Sequence, residues 1–367
     1  MPTPHHDPSV LPAGLPTPID DGACLHLRGA AMPGVLLRRH DGGEVSAADV
    51  ASLGERGVVM FFYPHTGVPG RAPGAGFAGE AWDTIPGARG CTPQSCGFRD
   101  AFGAFARLGV GVAAVSTNTT AHQGEFVGRM RIPYPMFSDA ALALTRAMNL
   151  PTFEFPVGDD GPTTLVRRMA WFVSRDGGGA ARVREVWYPV YPPDQNAAMV
   201  LRWLEARDGV TVEPARASDT AFVRGVLASQ WNTRRVWARG AAHDPYTLPT
   251  VIARREGRAV GMAVYTTGAA EFEIVALGVT ERGAAVAPML LDAVEDEARG
   301  AGAGKVCISA PNSATEALAF LQRRGYVMTA IRRGQIDWYR RSEPGIPRVA
   351  PGGVPNRDEI ELERVIT

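Results

Sequence analysis

The stretch "GVVMFFYP" (57–64), followed after a Gly/Pro-rich insertion by "PGARGCTPQSCGFRD" (86–100), decides the fold of the first half of this chain. A short, continuously apolar run is suited to a central strand buried on both faces. The second stretch turns from loop composition to a helical pattern at Cys91 and places Cys96 five residues on. On a helix, five residues rotate about 140° and rise about 7.5 Å, setting the Cα atoms roughly 8–9 Å apart. A disulfide needs about 7 Å or less. The two sulfurs therefore cannot join while the helix is intact, and its first turn must open for the bond to form. The first turn also offers free N–H groups and the positive end of the helix dipole, which favour a thiolate, with Arg89 and Arg99 close by in sequence. Two readings stay open on this chemistry alone: a redox couple that alternates between helix and loop, or two unpaired thiols at a helix start.

Working outward, "GFRDAFGAFARLG" (97–109) puts Phe98, Phe102 and Phe105 on one helical face, and "VGVAAVS" (110–116) is a second buried strand. A helix over about 139–148, strands "MAWFVS" and "RVREVWYP", and a helix starting at Asp194 with Ala197, Val200, Leu201 and Leu204 inward complete the unit. This alternation predicts a largely parallel sheet covered on both faces. Pro133 and Pro135 shape the entry to a strand. His65 reads as a solvated loop histidine.

The chain has 367 residues, 38 basic and 38 acidic side chains, seven histidines and four cysteines. Two domains are the natural expectation at this length. The balanced charge speaks against nucleic-acid and membrane-surface partners. The start, "MPTPHHDPSVLPAG", lacks the regions of a secretory signal, and residues 1–25 read as a disordered lead-in to a cytoplasmic protein. Cys24 and Cys307 stand alone on apolar stretches as buried, inert thiols. No histidine has ligand spacing with the cysteines, so no metal site is expected.

A boundary falls at "RDGVTVEP" (207–214). Beyond it come a helix (about 219–231), strands at 251–254, 260–265 and 271–277, a helix (about 287–299), a strand (305–310), a helix (about 312–323) and a strand from 326. The tail "DEIELE" (358–363) alternates, so Ile360 and Leu362 pair a last strand onto this unit.

Two resemblances attach to these patterns. "FFYP…GCTPQSCGFRDAF…GVGVAAVS…PMFSDAALALTRAMNL…RRMAWFVSRDGG" resembles the peroxiredoxins, in particular the bacterioferritin-comigratory (Q-type) branch, over residues 26–208. The resemblance implies a thioredoxin-like fold with Cys91 as the peroxidatic cysteine, Cys96 as the resolving one and Arg168 pairing with the thiolate. It also implies reduction of hydrogen peroxide or organic hydroperoxides, a thioredoxin-like reductant and no cofactor. The family usually carries Thr or Ser three residues before the peroxidatic cysteine; here that position is Ala88. Within the enlarged loop "HTGVPGRAPGAGFAGEAWDTI" (65–85), Thr66 or Thr84 supplies a substrate-binding hydroxyl and Trp82 lines the site, or the loop is a surface excursion with one buried aromatic. An enlarged loop also raises the alternative of a pathway-specific thiol oxidant.

"EFEIVALGVTERGAAVAPMLLDAVEDEARGAGAGKVCISAPNSATEALAFLQRRGY" (271–326) resembles the GNAT acetyltransferases, and the unit spans residues 212–367. The tail "IPRVAPGGVPNRDEIELE" is similar to the C-terminus of one bacterial subgroup. The fold class is thus α/β, a thioredoxin-like domain followed by a GNAT-like one. In GNAT proteins a Gly-rich loop holds the acetyl-CoA pyrophosphate on backbone N–H groups at a helix start. Here that loop reads Arg282-Gly283-Ala284-Ala285-Val286-Ala287, with Ala285 in place of the central glycine and Pro288 following. The family's cofactor-contacting Asn falls at Ala314, and its general-acid Tyr at Leu321. Acetyl-CoA, if bound, would contact Val279, Arg282, Gly283 and Val286. The three departures favour a structural or binding role, at a homodimer interface or over the redox site. An N-acetyltransferase with a redox-sensing front domain is the alternative.

Overall fold

A computed structural model of the chain describes residues 8–69, 81–156, 162–231, 235–281 and 285–366. The chain divides into two compact units, residues 1–205 and 206–367.

The first unit is built on a seven-stranded sheet. Its strands are β1 (Leu36–Arg39), β2 (Glu44–Ser46), β3 (Gly57–Phe62), β4 (Val110–Ser116), β5 (Met136–Ser138), β8 (Met169–Arg175) and β9 (Ala181–Trp187), in the order β2-β1-β5-β4-β3-β8-β9. A separate hairpin pairs β6 (Thr152–Glu154) with β7 (Thr164–Val166). The central apolar run is β3, buried along its whole length as its composition demands. Period-two alternation splits it between two cores. Val58, Met60 and Phe62 face Trp171, Leu27 and Val50, whereas Val59, Phe61 and Tyr63 face Phe98, Phe105, Phe126 and Val200. The second core is covered by helices α1 (Cys91–Asp100), α2 (Phe102–Arg107), α3 (Thr120–Met130) and α5 (Asn196–Arg207); the short α4 spans Ala143–Ala147.

The sheet is mixed, not largely parallel. Only β3–β4 and β4–β5 run parallel. Those two connections carry helices long enough to cross over, whereas β1–β2 and β8–β9 are joined by short turns that force antiparallel pairing. The Phe98–Phe105 segment is two helices that meet at Ala101, although Phe98 and Phe105 are both fully buried. Asp194 lies in a 3-10 turn (Pro193–Gln195), and α5 itself begins at Asn196. The helix expected over 139–148 shrinks to α4 because the Asp139 carboxylate takes the N–H groups of Leu144 and Thr145 from outside it. Pro135 leads directly into β5. Residues 8–25 form no helix or strand, yet they are fastened to the domain. Arg89 donates to the Val10 carbonyl, Tyr191 Oη donates to the Leu15 carbonyl, and Cys24 is buried.

The second unit carries β10 (Val210–Pro214), β13 (Thr250–Arg255), β14 (Arg258–Thr266), β15 (Glu271–Val279), β16 (Lys305–Pro311), β17 (Val327–Arg332) and β18 (Glu359–Val365), ordered β10-β13-β14-β15-β16-β18-β17. The tail strand β18 inserts between β16 and β17. One face packs on α7 (Val286–Gly300) and α8 (Thr315–Arg323) through Leu290, Leu291, Val294, Leu318 and Leu321. The other packs on α6 (Thr220–Trp231) and β11 (Val236–Ala238), which pairs with β12 (Ala241–His243). A last helix, α9 (Gln335–Ser342), buries Ile336 and Tyr339. Among the described residues the one parallel pair of this sheet, β15–β16, is in register only from Glu271–Lys305 to Ile274–Ile308. Past that point the two strands part. Among the described residues no helix is long and apolar enough to cross a membrane.

Candidate active site

Cys91 is the first residue of α1, and Cys96 lies in the same helix. Gly90 caps the helix with φ 102°, a left-handed conformation that a side chain would strain. A Cβ there would also fall 2.3 Å from Pro193 Cγ and 2.8 Å from Leu11 Cδ2. The cap offers no side-chain acceptor.

Arg168 reaches this helix start from the residue just before β8. Its Nε donates to the Gly87 carbonyl (3.1 Å), and its Nη2 lies within reach of the carbonyls of Ala88 (2.9 Å) and Arg89 (3.1 Å) and of Cys91 Sγ (3.2 Å). Nη1 donates to Gln94 Oε1, and Gln94 Nε2 donates onward to Asn196 Oδ1 (2.9 Å) at the start of α5. Arg168, Gln94, Asn196 and Cys91 are all buried. As a thiol, Cys91 would also give its proton to the Ala88 carbonyl, 3.6 Å away. One guanidinium thus gathers three consecutive loop carbonyls and the sulfur.

Cys96 is half-buried, and burial raises its thiol pKa against the opposing pull of Arg99 and Arg129. All four cysteines are free. Burial pushes Cys24 up to about 12 and Cys307 up to about 11, which keeps both protonated.

The enlarged loop divides differently. Residues 70–80 lie outside the described residues. Trp82 is a packing residue, buried with Ala88, Phe155 and Leu165. Thr84 is exposed and donates to the Ala81 carbonyl (2.8 Å), while Thr66 bonds the His122 ring (3.0 Å). Neither hydrogen bond reaches Cys91 or Arg168. His65 is not a solvated loop residue: its ring sits 4.6 Å from that of His122 and is hydrogen-bonded by the Asn118 amide. In the second unit Val279 ends β15, with its carbonyl taken by Gln230 (2.7 Å), and Val286 opens α7. Arg282 and Gly283 lie outside the described residues. Sequence reasoning missed Gln94 and Asn196; Gln94 carried a signal, because its i,i+3 spacing places it on the face of Cys91.

Residues 27–176 match the Redoxin family, and residues 216–326 match the Acetyltransferase (GNAT) family. The chain joins a Redoxin domain to a GNAT domain. It is 33% identical over 110 residues to the uncharacterized protein YdhI of Bacillus subtilis, covering 30% of this chain and 69% of that protein. It is 25% identical over 179 residues to the chloroplastic peroxiredoxin Q of Oryza sativa subsp. japonica, covering 49% of this chain and 67% of that one. Among solved structures, peroxidoxin BcpB of Mycobacterium tuberculosis is 24% identical with a TM-score of 0.35, covering 49% of this chain and 96% of that one.

The histidine pair gives the Redoxin domain a pH dependence. Burial, with His122 adding to it, lowers the His65 pKa from 6.5 to about 3. The unfolded chain therefore binds the proton that the folded chain refuses. Stability from this residue is complete above 6.5 and is lost as the pH falls toward 3. Urea unfolding between these limits should show a slope approaching about 1.4 kcal/mol per pH unit from this group. A His65→Asn protein should lack that component; an unchanged slope would show that His65 is not buried neutral.

Proposed function

We propose that the Redoxin domain is a thiol peroxidase acting on hydrogen peroxide or organic hydroperoxides. The observation that carries this reading is the 3.2 Å contact from the Arg168 guanidinium to Cys91 Sγ at the first turn of α1. In the reaction the Cys91 thiolate attacks one peroxide oxygen, a sulfur–oxygen bond forms as the oxygen–oxygen bond breaks, and the departing oxygen is protonated to water or an alcohol. Cys91 is left as a sulfenic acid. Cys96 then attacks the oxidised sulfur, water leaves, and a disulfide forms. An external thioredoxin-like dithiol restores both thiols by exchange. No metal or organic cofactor enters any step.

The helix is built to let go at one end. Its first turn has a glycine cap with no side-chain acceptor and buries the Thr92 hydroxyl, which, like that of Ser95 one turn on, has no hydrogen-bond partner among the described residues. Each such hydroxyl costs about 1–3 kcal/mol while buried and regains partners on opening. The second half is held fast. Phe98 stacks on Phe61 at 4.3 Å, and Tyr134 donates to the Ser95 carbonyl (2.7 Å). We place the opening that brings Cys96 to Cys91 in the residues before Phe98, at the cost of the Tyr134–Ser95 bond.

For the GNAT domain we propose a structural or binding role in preference to acetyl transfer. Ala285 stands at the N-cap of α7 with no side-chain acceptor, and Leu321 is buried in the apolar core under α8. The nearby amide of Asn312 is spent on the tail, donating to Pro355 and accepting from Arg357 and Asp358. We assign the work of the chain to the cytoplasm, where free thiols persist.

Intact-mass analysis after one equivalent of peroxide tests the first reading. Wild type should lose two protons' mass as a Cys91–Cys96 disulfide, Cys96→Ser should gain one oxygen, and Cys91→Ser should consume no peroxide. Consumption by Cys91→Ser at the wild-type rate would refute it. For the second reading, calorimetric titration with millimolar acetyl-CoA should give no binding heat. A saturable heat would restore the transferase alternative.

A further inference from the structure

Arg168 has a second face. With Gly87 it lines a cavity of about 200 Å³. Most of the remaining wall is apolar, with Pro18, Ile19, Phe153 and Val190 prominent, and Arg167 stands beside Arg168 on the polar side. The volume is below the roughly 300–1,000 Å³ of drug-sized ligand sites, so the space suits a small molecule. Ile19 holds its side chain 85% exposed at this wall, an apolar surface that an occupant would cover.

The two arginines differ in what they have left to give. The donors of Arg168 are directed at Gly87, Ala88, Arg89, Cys91 and Gln94. Arg167 is half-buried, its Nε donates to the Thr152 carbonyl (3.3 Å), and its guanidinium lies 5.9 Å from the Phe153 ring centroid. Among the described residues its two Nη groups have no hydrogen-bond or ion-pair partner. Asp21, a carboxylate that feels the Arg167 charge, is engaged by the Ala23 N–H and the Tyr188 hydroxyl; Arg167 lowers its pKa from a distance without an ion pair among the described residues. A guanidinium whose terminal nitrogens have no partner among the described residues, within cation–π distance of an aromatic ring beside an apolar cavity, fits a carboxylate bidentately.

We infer that this cavity binds a small organic carboxylate, with its apolar body against Pro18, Phe153 and Val190 and its charge on the Nη groups of Arg167. Two sources share this chemistry. The ligand is the organic part of a carboxylate-bearing hydroperoxide, in which case the inference rests on the peroxidase reading. Otherwise it is a non-peroxidic carboxylate that acts on Cys91 through the shared wall, Arg168. In either case Arg167 is the specificity-determining residue.

Benzoate titrated into the reduced full-length chain is the first probe, with benzyl alcohol as its uncharged counterpart. Loss of a charge-assisted pair should weaken binding about tenfold or more. Benzoate should therefore bind wild type at least that much more tightly than benzyl alcohol, Arg167→Gln should erase the difference, and Arg167→Lys should restore part of it. No benzoate binding, or equal binding by wild type and Arg167→Gln, would overturn the inference. Turnover then separates the sources. For a substrate site, 4-carboxycumene hydroperoxide should have a lower KM than cumene hydroperoxide, with the ratio collapsing toward parity in Arg167→Gln. For an effector site, the two hydroperoxides should behave alike, and benzoate should change the rate with hydrogen peroxide itself. A chain that binds benzoate through Arg167 but is inert to every peroxide would keep the site and discard the peroxidase reading.

Discussion

A guanidinium buried away from water must have its charge answered inside the protein, and at Arg168 no carboxylate answers it among the described residues. What surrounds it are the carbonyl dipoles of Gly87, Ala88 and Arg89, the side-chain oxygen of Gln94 and the sulfur of Cys91. Dipoles only partly neutralise a full charge, and the sulfur is the one group in the set that can carry the opposite sign. The loop conformation and the start of α1 are therefore tied to a single side chain that also touches the sulfur.

The rest of the Redoxin domain keeps this constellation in place. Strand β3 fixes Phe61, Phe61 fixes Phe98, and the back of α1 is thereby pinned to the sheet. Gln94 and Asn196 carry the hydrogen-bond chain from Arg168 to α5, so the site is tied to two helices and the residue before β8. The first turn of α1 is held by these same side-chain bonds, through Cys91 and Gln94, so opening it would break them. Leu11 and Pro193 pack close to Gly90, at the start of the helix.

Much of this was legible in the residues. The apolar run at β3 was readable as a central buried strand, and helix geometry showed that Cys91 and Cys96 could not be joined in the folded helix. Most of the order of the second unit was readable from long periodic strands and helices, but edge strand β10 lay in the stretch read as a boundary and α9 was not read. What was missed has identifiable causes. Strand direction depends on connection length, which the apolar runs do not encode, so the mixed sheet was taken as largely parallel. The three-residue strands β11 and β12 are too short to show a period. Gln94 and Asn196 are polar residues whose burial comes from tertiary packing and not from local pattern. His65 was misjudged because its partner, His122, arrives from a helix 57 residues away.

The most direct measurement is the second-order rate of Cys91 oxidation by peroxide in Arg168→Lys, a variant that keeps the charge but cannot span the loop carbonyls and the sulfur together. With circular dichroism showing the fold retained, the rate should fall about a hundredfold, the usual scale for losing one aligned donor at a developing charge. A folded Arg168→Lys protein that is oxidised as fast as wild type would contradict the account.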